Sequence, residues 1–134
     1  MVLLRTTVYS HASDVNFDGY LDISFVREGG AKWGSRDYFL FDPSSGRFIA
    51  NSLTKELGQI RENGIALDAK TREIRAGFMG PGTCPGGVNI FRIENARLVQ
   101  LQAEEVTSEH GHCVRTVKKR ADGKWKTVRV EDLA

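Results

Sequence analysis

Short β-rich runs alternate with turn signals along most of this chain, and that rhythm leaves room for little except antiparallel hairpins. Residues 38–42 (YFLFD) and 47–50 flank Pro43-Ser44-Ser45-Gly46, with proline and glycine at places a turn favours. Residues 65–67 and 73–78 flank a turn around Asp68-Ala69-Lys70-Thr71, and residues 88–93 and 97–101 flank Glu94-Asn95-Ala96. The last pair, 114–119 and 125–130, flanks Ala121-Asp122-Gly123, where Asp-Gly is a strong short-hairpin signal. Only residues 52–57 read as a helix, with Ser52 as N-cap and Gly58 as stop. The predicted fold class is all-β. Hairpins recurring at intervals of about 25 residues predict a small propeller-like or barrel-like arrangement. A length of 134 residues suits one domain spanning the chain.

Residues 14–22, ahead of the first hairpin, read DVNFDGYLD. Oxygen-bearing groups fall at every second place, as in loops that wrap a calcium ion with six to eight oxygens. Positions 1, 3, 5, 7 and 9 are Asp14, Asn16, Asp18, Tyr20 and Asp22, with Tyr20 contributing its main-chain carbonyl. Gly19 stands where the chain must bend through angles that a side chain makes costly. Ca2+ is the expected cofactor, structural rather than catalytic. The twelfth position, where a helical EF-hand carries a bidentate glutamate, is Phe25. Leu21, Ile23 and Phe25 alternate with Asp22 and Ser24, so this EF-hand-like calcium loop leads into a strand. Asp22 then supplies the strong carboxylate. The alternative is an Asx-rich turn that bonds its own backbone without metal.

Composition decides less. A formal net charge of +2 points neither to a polyanion nor away from one. Residues 1–4, ahead of Arg5, are too short an apolar run for a signal peptide, and nothing approaches a membrane span. No GxSxG elbow, Walker loop, HExxH helix or dinucleotide fingerprint occurs, so the chain is not expected to be an enzyme. Glu104, Glu105 and Glu109 offer carboxylates for glycoside cleavage, but adjacent strand residues point to opposite faces, and a solvated acidic edge is the stronger reading. The basic terminal hairpin around Trp125 has the ingredients for nucleic acid, yet edge strands commonly carry Lys and Arg against edge pairing, and no nucleic-acid partner is expected. The two cysteines, Cys84 and Cys113, suit a disulfide closing a loop of about 30 residues, worth about 3–4 kcal/mol, and hence an oxidising compartment. Free thiols, or a zinc site with His110 and His112, are the competing readings. The glycine- and proline-rich segment 77–87 is a loop.

Taken in order, DVNFDGYLDI, a polar loop, DYFLFDPSSGRF, a short apolar turn and VKKRADGKWKTVR resemble the FG-GAP-related calcium-loop proteins of the bacterial periplasm that inhibit lysozyme-like cell-wall hydrolases. Some of those serve as immunity proteins against peptidoglycan-degrading effectors delivered by bacterial secretion systems. The calcium motif is shared with integrin-type propeller repeats; the YxFD-turn-GRF and DGKW hairpins narrow the resemblance, which runs from Val8 to the end. It implies a periplasmic protein whose partner is a lysozyme-like hydrolase, blocked by a protruding loop that enters its cleft. The matching segment is residues 29–38 (GGAKWGSRDY), with Lys32, Trp33, Ser35, Arg36, Asp37 and Tyr38 as the expected contacts. Trp, Arg and Tyr are the residue types that dominate interface hot spots, and Arg36 or Lys32 suits a catalytic carboxylate. Tyr38 as the first core residue of its strand, and Trp33 folded back over the sheet, are the alternatives. A calcium-dependent adhesion module of the integrin-propeller kind is the second functional reading.

Overall fold

The computed structural model describes residues 10–29 and 34–133. The elements run β1 (Ser10–Ser13), β2 (Asp22–Gly29), β3 (Gly34–Asp42), β4 (Arg47–Ile49), α1 (Ser52–Leu57), β5 (Gly64–Asp68), β6 (Glu73–Phe78), β7 (Gly87–Glu94), β8 (Arg97–Glu109), β9 (His112–Ala121) and β10 (Lys124–Asp132). The fold is all-β, in two antiparallel sheets: a four-stranded one in the order β1-β2-β3-β4 and a six-stranded meander in the order β10-β9-β8-β7-β6-β5. No closed ring of blades forms among the described residues. The glycine-rich segment 79–86, where two blades would have to part, instead returns the chain so that Gly87 pairs with Phe78, and the ladder continues unbroken.

Turn chemistry fixes the meander. Asn95 and Ala96 (φ 52° and 59°), His110 and Gly111 (48° and 81°), and Asp122 and Gly123 (52° and 74°) connect successive strands with both central residues left-handed. That twist matches the strands a two-residue turn must join. The core lies between the smaller sheet and the β5–β6 part of the larger one: Tyr38 and Leu40 of β3 meet Ile74 and Ala76 of β6, and Leu53 and Leu57 of α1 close one side. Leu57 and Ile74 are fully buried, each side chain contributing about 1.5–3 kcal/mol of transfer energy.

The helix has the predicted span but a different cap. Asn51, not Ser52, is the N-cap: its Oδ1 accepts from Thr54 N at 3.0 Å, while Thr54 Oγ1 accepts from Asn51 N at 2.7 Å. The Glu56 carboxylate accepts from Leu98 N at 3.0 Å and pairs with Arg97 at 3.2 Å, tying α1 to β8. Cys84 and Cys113 form a disulfide with Cα atoms 5.6 Å apart, which leaves no thiolate for zinc and pins segment 79–86 to β9. Gly86 is obligatory there, because a Cβ would collide with the Phe78 carbonyl oxygen. Among the described residues no helix is long and apolar enough to cross a membrane.

Candidate metal centre

Residues 14–22 fold as an irregular turn between β1 and β2, held at three places by their own chemistry. Val15 is 1% exposed and belongs to the core, with Phe17 packed against it, so the loop is anchored from below. Gly19 has φ +92°, the left-handed bend that glycine takes without steric cost. Asp22, the first residue of β2, is 1% exposed, and its two carboxylate oxygens accept from Val15 N (3.1 Å) and from Phe41 N of β3 (2.9 Å). One buried side chain therefore joins the loop to the second strand of the hairpin that follows.

The acidic side chains converge. Asp14, Asp18 and Asp22 each bring a carboxylate oxygen to within 4.8 Å of the others, an arrangement that could hold a metal ion. Asp14 is held open by Asp18 N (3.0 Å) and Gly19 N (2.8 Å), and Asp18 by Tyr20 N (3.0 Å). Burial pushes the Asp22 carboxyl above its ordinary range, the Asp18 and Asp14 charges add to this, and the Phe41 and Val15 N–H groups oppose it. An acid with a raised folded-state pKa stabilises the fold below its unfolded value and loses that contribution as pH rises through the folded one. Ionising Asp22 therefore costs the fold stability as pH rises, a cost that a bound cation would offset.

The donor set fits a cation. Asn16 Oδ1 is buried and has no hydrogen-bond partner, although its Nδ2 donates to Asp18 at 3.2 Å. A buried acceptor without a donor costs free energy that an ion relieves. The available groups are all oxygens, which suits a hard divalent ion rather than zinc or copper. Asp14, Asn16, Asp18 and Asp22 would hold it through side chains and Tyr20 through its carbonyl. The Tyr20 ring itself is exposed and lies 5.4 Å from that of Phe41. Phe25, at the twelfth place, lies in β2 with its ring against Phe39 at 6.1 Å and offers no carboxylate.

The segment expected to contact a partner is divided. Lys32 and Trp33 fall outside the described residues. β3 begins at Gly34 rather than at Tyr38, so the other four residues are strand, not loop. Ser35 and Tyr38 are buried, at 4% and 6% exposure, and offer no contact surface. Burial, followed by the Glu62 charge, pushes the Tyr38 hydroxyl up to about 12, with Arg36 opposing. Arg36 is largely buried, its Nε 3.2 Å from Glu62, and Asp37 is half exposed with its carboxylate 2.8 Å from Arg27. The candidate glycosidase carboxylates also separate: Glu104 is mostly buried and accepts from Val88 N, while Glu105 is exposed beside Lys118. The Arg36–Glu62 pair had no sequence signal, since its partners lie 26 positions apart and Glu62 sits in a stretch without periodicity. Compared with protein-family models, with curated proteins and with solved structures, the chain matches none.

Proposed function

We propose that the chain is a calcium-stabilised protein inhibitor, an immunity protein of the bacterial periplasm, that blocks the cleft of a lysozyme-type peptidoglycan hydrolase with the segment joining β2 to β3. The observation that carries this reading is the oxygen-lined loop running directly into β2, which with β3 flanks the segment of sequence carrying Lys32 and Trp33, alongside the sequence resemblance. The Cys84–Cys113 disulfide accords with an oxidising compartment. The acidic loop precedes β2 and the proposed inserting segment follows it in sequence, and the eight residues of that strand span roughly 24 Å. Calcium therefore acts at a distance: by holding Asp22, it fixes the start of β2 against Phe41 and sets the register of the hairpin. A hairpin ordered in advance loses less entropy when it binds.

A second reading, a calcium-dependent surface-interaction module, is favoured by one observation. Tyr20, Phe41 and Phe48 form a chain of rings at 5.4 and 5.5 Å beside the loop, and Tyr20 and Phe48 are 45% and 47% exposed. A turbidity assay of cell-wall lysis separates the two. Suppressed lysis by a lysozyme-type hydrolase, weakened by Trp33→Ala, supports the inhibitor; binding to the enzyme or envelope without suppression supports the module and sinks the inhibitor.

A further inference from the structure

We propose that the cavity between the two sheets, at the β1 side of the smaller one, is a binding site for a small hydroxylated carboxylate of the sugar-acid kind. Its volume is about 350 Å³, toward the lower end of the range small-molecule sites occupy. One wall is a cross-strand row: His11 faces Ser24 across β1–β2, and Ser24 faces Tyr38 across β2–β3. Residues directly opposite share a face, and so do Ser13 with His11 and Arg36 with Tyr38, two positions apart. The other wall is apolar, from Ile65 and Leu67 of β5.

The row runs inward from His11, exposed at the mouth, to Ser24 and Tyr38 between the packed sheets, where polar groups are costly to bury unless something bonds them. Ser24 and Tyr38 are 3% and 6% exposed, and their hydroxyls, which bond to no described residue, stay open to solvent on the cavity side. Water would satisfy hydroxyls, but it does not account for the cation beside them. Glu62, 5% exposed, holds Arg36 by its Nε alone, and the two terminal guanidinium nitrogens have no protein acceptor among the described residues. Among the described residues no carboxylate lines the cavity itself, Glu62 standing behind Arg36. A guanidinium fork fixed from behind matches a carboxylate in two parallel hydrogen bonds. The Ser13, Ser24 and Tyr38 hydroxyls suit ligand hydroxyls, and Ile65 and Leu67 suit the apolar face of a ring. The site adjoins the acidic loop, whose Val15 also lines it, but it uses none of the loop's carboxylates and is independent of the inhibitor reading.

The test is an amide chemical-shift titration of the folded protein in calcium-containing buffer, with D-glucuronate as probe and D-glucose as its uncharged counterpart. Glucuronate is expected to give saturable shifts centred on Ser13, Ser24, Arg36, Tyr38 and Ile65, with a Kd of about 1 mM or below, and glucose to bind at least about tenfold more weakly. Arg36→Gln combined with Glu62→Gln removes the cation together with its buried counter-charge and is expected to abolish the glucuronate shifts. Ser24→Ala leaves that pair intact and is expected to weaken binding several-fold. Should the double variant not fold, Ser24→Ala and the glucose comparison decide. Shifts that do not saturate, that map elsewhere, that are equal with glucose, or that survive the substitutions undiminished overturn the proposal.

Discussion

Replacing Asp18 by alanine separates the metal contribution of the loop from its architectural one. Asp18 is exposed, and its carboxylate accepts from Tyr20 N and Asn16 Nδ2, both at the surface. Losing two solvent-exposed hydrogen bonds costs on the order of 1 kcal/mol, and removing a charge that raises Asp22 offsets part of it. In chelator the variant should therefore melt within a few degrees of the parent. With calcium at a hundred times its dissociation constant, the parent gains about 2.7 kcal/mol from binding, and a variant that no longer binds gains nothing. At about 3–5 °C per kcal/mol for a chain of this size, the two proteins should differ by about 10 °C in calcium. Differential scanning calorimetry of both proteins, with calcium and with chelator, reads the four values. Equal melting temperatures for the parent in the two buffers would refute the reasoning, as would a variant that loses the same stability in both.

Other consequences follow from the geometry. Replacing Cys84 and Cys113 together by serine frees a loop with a sequence separation of 29 and should cost about 3–4 kcal/mol, measured by urea unfolding. Ala96 sits at φ 59°, where a Cβ is strained, so Ala96→Gly should be neutral or stabilise by up to about 1 kcal/mol in the same assay. Tyr38 should ionise near pH 12 when followed by ultraviolet absorbance. Because its folded-state value is raised, the stability it contributes is complete below pH 10 and is lost as pH climbs to about 12, so alkaline unfolding should fall in that window.

The parts legible in sequence were those with local causes. The convergence of Asp14, Asp18 and Asp22, the Asp122-Gly123 turn and the span of α1 follow from side chains acting on their own backbone, and these the structure contains. Long-range features were not legible. β8 continues to Glu109, well past its expected end at residue 101, because a strand half exposed on both faces shows no apolar alternation to read. The expectation of a propeller-like array failed for a related reason: hairpins announce themselves locally, whereas whether neighbouring ones part into blades or stay paired depends on contacts such as Gly87 with Phe78. In the segment expected to contact a partner, Tyr38 and Arg36 have the composition of an interface, but in β3 they alternate with Ser35 and Asp37 on two faces, Tyr38 and Ser35 are both buried, and of the four only Asp37 stays exposed. Asn51 displaced Ser52 as the cap because its reciprocal bond needs Thr54 at the third helical position, a pairing that composition does not rank.

The most direct test is a crystal grown in millimolar calcium. A single ion is expected, about 2.3–2.6 Å from oxygens of Asp14, Asn16, Asp18 and Asp22 and from the Tyr20 carbonyl, with an anomalous signal that chelator removes. Water alone between those residues, with the carboxylates turned to solvent, would contradict the account.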